Sequence, residues 1–259
     1  MARTDRLIAV FDSGLGGISV LRELIRQMPC EQFLYFGDSA NAPYGSRPTS
    51  EVRALTLERI GELMPRGLKA VVVACNTATS AAVDDLRHQY PDIVIVGIEP
   101  ALKLAVENCP QGRIIVMATE VTLREKKFDR LMSQYGTSRE ILPLPCPELV
   151  RFVEKGLLDG PEVEKHLRTI LPPELCAGVG AIVLGCTHFP FLKPVLQRIV
   201  GPDVLFFDGS EGTSAQTRRL LFEHGDLRTE GELSVTLENS LGTAEILDLS
   251  ARLLGYGDQ

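Results

Sequence analysis

Clusters of lysine and arginine are missing from this sequence. Its 259 residues carry 34 acidic side chains against 27 basic ones, a formal net charge of -7. Neutralising phosphates calls for grouped cations, so nucleic acid is excluded as the main partner. Long apolar runs are missing too: the longest, such as residues 70–75, fall far short of the ~20 residues a membrane helix needs, and no membrane partner is expected. The start offers only five consecutive apolar residues, 7–11, before Asp12. That is not the pattern of a secretion signal, and a cytoplasmic location is expected. Cysteines are few, at Cys30, Cys75, Cys109, Cys146, Cys176 and Cys186, and no two form a C-x-x-C pair. This excludes a zinc ribbon, a dithiol redox motif and a disulfide framework, leaving buried hydrophobes or reactive thiols.

What remains is an ordinary soluble composition, 44% hydrophobic and 24% charged, long enough for two domains. Short β-branched apolar runs at 7–11, 33–36, 70–74, 93–96, 114–118, 141–144, 181–184 and 204–207 alternate with amphipathic stretches. Runs that are apolar throughout belong to strands covered on both faces, hence to a parallel sheet between helices. Between them, Val20, Leu21, Leu24, Ile25 and Met28 recur at helical spacing, with Arg22, Glu23 and Arg26 on the opposite side.

The order of elements repeats. RLIAVFDSG from Arg6 overlays RIIVMATEV from Arg113, FLYFGDSANAP from Phe33 overlays ILPLPCPELV from Ile141, and LKAVVVACNTATS from Leu68 overlays VGAIVLGCTHFPF from Val179, with offsets of 107, 108 and 111. The third strand of each half therefore leads to a cysteine, Cys75 or Cys186. The expected fold is α/β: two similar Rossmann-like or flavodoxin-like domains with parallel sheets, related by a pseudo-two-fold, with the active site in the cleft between them. Residues 1–98 with 208–259 form the first and 99–207 the second, the tail, with a strand at 233–237, packing back on the first.

Ligands of open α/β sheets bind beyond the carboxyl ends of strands. After the first strand, Asp12-Ser13-Gly14-Leu15-Gly16-Gly17 could aim free N–H groups at an anion. With Ser19 in place of a third glycine and Asp38 ending the second strand, a dinucleotide-dependent oxidoreductase is one reading of this loop. Asp12, at the strand tip, would repel a pyrophosphate there. Cys75 and Cys186 stand where strands lead into helix N-termini, a position that should lower a thiol pKa. A phosphatase loop would need arginine where Ala81 and Leu192 stand. A Cys-His hydrolase leaves the second thiol idle. Cys186 and His188 would give zinc only two ligands. Two facing thiols suit proton transfer on both faces of one carbon. A silent dicarboxylate-binding protein is a further reading.

The segments FDSGLGGISVL, YFGDSANAPYG, VVACNTATS, CPELVRFVEKG and VLGCTHFPFL, in this order across nearly the whole chain, resemble the signatures of the cofactor-independent aspartate/glutamate racemase family, and of its glutamate racemases in particular. The resemblance implies L- and D-glutamate as substrate, no cofactor and no metal, and a bacterial cytoplasmic enzyme supplying D-glutamate for peptidoglycan. A homodimer is among the assemblies it allows. It implies Cys75 and Cys186 as the two bases, Asp12 assisting the first, His188 and Glu154 the second. Carried-over substrate contacts are Asp12, Ser13, Tyr44, Gly45, Asn76, Thr77, Thr187 and His188, with Thr119 and Thr122. The Gly-loop amides are expected to join the hydroxyls and Asn76 in stabilising carbanion charge. Aspartate racemases typically show Cys-Thr-Glu where Cys186-Thr187-His188 stands here; hydantoin racemases are more distant. This chain departs from the family at Glu125 and Phe128, which replace a serine and a tyrosine, and at Asp208-Gly209-Ser210 in place of Asp-Ser-Gly. Plain readings stand beside these: His188 could serve a helix, Glu154 could be a solvated helix residue, and Asp38 and Tyr44 could shape a turn.

Overall fold

The computed structural model describes residues 3–99, 101–124, 132, 133, 136 and 139–255. Its strands are β1 Leu7–Asp12, β2 Gln32–Gly37, β3 Leu68–Val73, β4 Val94–Gly97, β5 Arg113–Ala118, β6 Ile141–Pro145, β7 Val179–Leu184, β8 Leu205–Asp208 and β9 Ser234–Asn239. Two sheets result, ordered β4-β3-β1-β2-β9 and β6-β5-β7-β8, with every pairing parallel. β1 and β3 are buried almost end to end, which is why their sequences carry no alternation.

The repeat seen in the sequence is a repeat of topology. Reading the second sheet backwards gives β8-β7-β5-β6, which matches β4-β3-β1-β2 strand for strand. Even an irregularity recurs: the β1–β3 register slips between Leu7 and Ile8, and the β5–β7 register slips between Arg113 and Ile114. The skipped residues are Lys69 in one half and Gly180 in the other. β9 has no equivalent among the described residues of the second sheet; it lies parallel to β2, with Gly37 beside Asn239. It runs two residues past the apolar run at 233–237.

Side chains alternate between two environments. Ile8 and Val10 of β1 and Ile115 and Met117 of β5 join one hydrophobic cluster with helices Ile18–Gln27 and Pro147–Glu154. Ala9 and Phe11 face a second cluster with helices Thr49–Leu63 and Asn76–Gln89, and Ile114 and Val116 face a third. The first cluster is shared by both halves, so the carboxyl ends of the two sheets are clamped toward each other over a continuous apolar core. Burial of this kind stabilises by roughly 25 cal/mol per Å² of apolar surface.

Candidate active site

Cys75 caps helix Asn76–Gln89, its Sγ lying 3.5 Å from the Ala78 N–H and 3.5 Å from Ser13 Oγ. Asp12, fully buried at the end of β1, accepts from the Gly14 N–H at 3.0 Å and from Thr187 Oγ1 at 3.0 Å. Burial and the Asp12 charge push the Cys75 thiol up to about 12, while Ser13 and the Ala78 N–H pull the other way and lose. The lowered pKa expected from the strand-to-helix position is thus reversed: one turn of free amides does not offset removal of a thiolate from water beside a carboxylate. Burial also raises Asp12, against the pull of His188, Gly14 and Thr187.

Cys186 differs. No α-helix starts at it: a turn and the short 3-10 segment Phe189–Leu192 intervene before helix Lys193–Val200 begins, with Pro190 and Pro194 each near the start of its segment. The expected helix N-terminus is replaced by a side chain, His188, whose Nδ1 is 3.6 Å from Cys186 Sγ and whose Nε2 is 2.7 Å from Glu154 Oε1. Burial drags the His188 pKa down, but its contacts with Cys186 and Glu154 outweigh this and hold it well above the ordinary histidine value. Glu154 answers in kind: burial raises it, and the bonds from His188, the Leu15 N–H at 2.6 Å and Ser39 Oγ at 3.0 Å bring it below the usual carboxylate range. Both shifts favour an imidazolium at His188 facing a carboxylate at Glu154.

The glycines after β1 are explained by contact with this second half. A Cβ on Gly14 would stand 2.0 Å from Glu154 Oε1, and one on Gly16 would stand 2.3 Å from His188 Nδ1. A pyrophosphate cannot use a loop whose space is filled by a carboxylate. The Gly14 and Leu15 amides are likewise committed, to Asp12 and Glu154, so these two of the loop's N–H groups do not face a substrate.

Cys75 and Cys186 line one cavity together with Ser13, Pro43, Tyr44, Gly45, Asn76, Thr77, Thr119, Val150, Gly185, Thr187 and His188. Both are free thiols. Asn76 Oδ1 is buried there with no partner among the described residues. Thr77 and Thr119 hydroxyls meet at 3.1 Å, joining the halves across the cleft, and Thr119 meets Thr122 of its own half at 3.0 Å. A Cβ on Gly45 would collide with Thr119 at 2.6 Å. Tyr44 is turned away: its hydroxyl donates to Asp38 Oδ2 at 2.7 Å, so its ring lines the wall and Asp38 shapes the turn, the plain reading. Asp12, Thr122 and Glu154 do not line the cavity and act from behind it. The volume is about 20 Å³, space for one water and not for an amino acid, so the cleft as described is closed and must open to load. Sequence reasoning missed Ser39, Pro43, Val150 and Gly185 as individual residues, although all four sit in segments already singled out: Ser39 and Pro43 in YFGDSANAPYG, Val150 in CPELVRFVEKG and Gly185 in VLGCTHFPFL. Glu125 and Phe128 lie outside the described residues.

Two like α/β halves with a free thiol from each in one closed cleft, one thiol flanked by a carboxylate and the other by a His–Glu pair, define an enzyme of acid–base chemistry. The model of the Asp/Glu/Hydantoin racemase family matches residues 15–213, and the chain belongs to that family. It is therefore a racemase, an isomerase. A glutamate racemase of Clostridium botulinum is 48% identical over 98% of this chain and 99% of its own length, and one of Clostridium perfringens is 50% identical over 95% of each. Among solved structures, a glutamate racemase isoform from Bacillus anthracis aligns with TM-score 0.86 at 30% identity, over 98% of this chain and 95% of that one. The Francisella tularensis glutamate racemase in complex with D-glutamate aligns at 0.83 and 26%, over 97% and 94%.

Proposed function

We propose that this chain interconverts L- and D-glutamate, one thiol taking the α-proton and the other returning a proton to the opposite face. The observation that carries the reading is the pair Cys75 and Cys186, at matched positions of a repeated fold and lining one cavity; relatives named glutamate racemase over nearly the full length agree with it. As the C–H bond breaks, its electrons pass to the α-carbon and its carboxylate while an S–H bond forms; the second S–H then breaks and its proton closes the carbon with inverted configuration.

Cys75 begins as a neutral thiol, so something must charge it. The substrate brings that charge itself. An α-ammonium docked against the orphaned Asn76 Oδ1 and near Asp12 places a cation beside the thiol and lowers the pKa that burial had raised. The carboxylates fall to the hydroxyls of Ser13, Thr77 and Thr119, which line the cavity. Across the cleft, His188 shares its proton with Cys186 and Glu154 keeps the imidazole charged. In this reading residues 1–98 with 208–259 and residues 99–207 are the two jaws, D-glutamate goes to peptidoglycan, and the enzyme works in the cytoplasm.

The test is incubation with D-glutamate in deuterium oxide, following optical rotation and the α-proton resonance. Rotation should decay to zero as the α-proton signal disappears; persistence of both would reject the reading.

A further inference from the structure

Glu154 is held by more than histidine. Its Oε2 accepts from Ser39 Oγ at 3.0 Å, and Ser39 Oγ in turn accepts from Asn239 Nδ2 at 2.9 Å. Asn239 is itself oriented, because its Oδ1 accepts from the Leu241 N–H at 3.0 Å. A carboxamide has one acceptor end and one donor end, and fixing the acceptor end on a backbone N–H leaves the donor end for Ser39. A serine hydroxyl has a single hydrogen. With its lone pair taken by Asn239, that hydrogen is aimed at Glu154. The links from the Leu241 N–H through Asn239 and Ser39 are therefore polarised one way, toward Glu154, whose other oxygen accepts from His188 Nε2 while His188 Nδ1 faces Cys186.

The chain also crosses the molecule. Ser39 follows β2, Asn239 ends β9, the strand that has no twin among the described residues of the second sheet, and Glu154, His188 and Cys186 belong to the other half. Gly14 leaves the room for Glu154 to reach across, and Gly37, whose Cβ would stand 3.0 Å from Asn239 Nδ2, leaves room for the amide.

We infer that Ser39, set by Asn239 of the last strand, is a positioning residue for the Cys186 side: it fixes the Glu154 carboxylate so that His188 stands in line with the Cys186 sulfur when the halves close. The inference rests on the two-thiol reading above and goes beyond it, because Ser39 touches neither substrate nor thiol. It also gives the tail strand a task in the chemistry of the opposite half.

The experiment compares wild type with Ser39→Ala, Ser39→Thr and Asn239→Asp, using L- and D-glutamate carrying protium or deuterium at the α-carbon. Asn239→Asp replaces the donor by an acceptor and should draw the Ser39 hydrogen away from Glu154. Loss of one hydrogen bond to a charged group should lower kcat/KM about 10-fold or more in Ser39→Ala and Asn239→Asp. Because the two enantiomers have equal free energy, the loss must be the same in both directions. The decisive reading is the isotope effect on kcat/KM. Slowing only the Cys186 step raises the effect for the enantiomer that Cys186 deprotonates and lowers it for the other, whereas a general loss of structure moves neither. Ser39→Thr keeps the hydroxyl and should restore both values. Unchanged isotope effects in Ser39→Ala, or a Ser39→Thr as impaired as Ser39→Ala, would overturn the inference. A wild type that racemises neither enantiomer would instead reject the two-thiol reading, so the two failures are distinguishable.

Discussion

The two halves share strand order, register slip and the position of a thiol, yet they equip that thiol differently. On the first side Cys75 has a helix end, a serine hydroxyl and a buried carboxylate that raises it; on the second Cys186 has an imidazolium held by a carboxylate. A reaction on two faces of one carbon gives both sides the same task, so a repeated scaffold is a natural answer. The difference shows that the scaffold fixes where a thiol sits and leaves its charging to local residues. The first side takes its cation from the substrate in the proposed mechanism, and the second carries its own.

The sharpest way to break this comparison is to remove each thiol. Cys75→Ala and Cys186→Ala should each lower racemisation by about 10⁴-fold, the upper end of what one positioned proton carrier contributes, since each removes one of two obligatory carriers. Residual α-proton exchange into deuterium oxide should persist with only one enantiomer in each variant, and with opposite enantiomers in the two. Exchange of the same enantiomer by both would show that the thiols do not address opposite faces.

A second contrast lies at the slipped register. Lys69 fills that position in the first half, fully buried, 2.6 Å from Glu31 and donating to the carbonyls of Thr4 and Asp226 at 2.8 and 2.9 Å. Gly180 fills it in the second, where a Cβ would stand 2.1 Å from Gln111 O. Lys69→Met should cost about 3–5 kcal/mol in chemical denaturation, because Glu31 is left charged and buried. The double variant with Glu31→Leu should recover part of that, the two carbonyls remaining unbonded. A double variant no better than the single would show that the ion pair carries nothing.

Removing the assisting groups should have a smaller effect than removing the thiols. Asp12→Asn and His188→Asn should each cost about 10²–10³-fold in kcat/KM, the range of one general acid–base or charge-stabilising partner. The asymmetry predicts a different dependence on pH. Wild type and Asp12→Asn retain His188, whose pKa is held well above the ordinary value, and should keep a flat profile across neutral pH, whereas His188→Asn should lose that plateau. Identical pH profiles for the two variants would remove the contrast.

Much of this was legible in the sequence because α/β strands are buried on both faces and so appear as apolar runs, and because chemistry gathers at their carboxyl ends. Asp12, Cys75, Asn76, Thr77, Cys186, Thr187 and His188 all lie within a few residues of such ends. Glu154 does not: it ends a helix, and only its place in the CPELVRFVEKG segment separates it from a solvated residue until the fold brings it to Leu15, 139 residues away. Ser39 and Asn239 are 200 residues apart and meet only because β9 pairs with β2, a pairing no local pattern announces. The direction of the Cys75 shift was misjudged for a related reason. A helix end is visible in sequence, but the closure that dries it comes from the other half.

The smallest predicted effect separates the halves by stability. His188 is raised above its unfolded pKa of about 6.5, so its stabilising contribution is complete below that value and is lost as pH climbs through its elevated folded pKa. Cys75 is also raised, to about 12, against roughly 8.5 unfolded. Its contribution is complete below 8.5 and is lost between there and 12, because only the unfolded thiol ionises in that window. Unfolding in urea from pH 6 to 10 should therefore show the stability gap between wild type and His188→Asn widest at pH 6 and narrowing upward. The gap between wild type and Cys75→Ala should hold level to about pH 8.5 and shrink only above it. Each decade of pH that separates an unfolded from a folded pKa is worth at most about 1.4 kcal/mol, so the effect is modest but its onset is diagnostic. A His188 gap that instead widened toward pH 10 would mean the buried histidine is neutral. The cation would then be missing from both sides of the cleft.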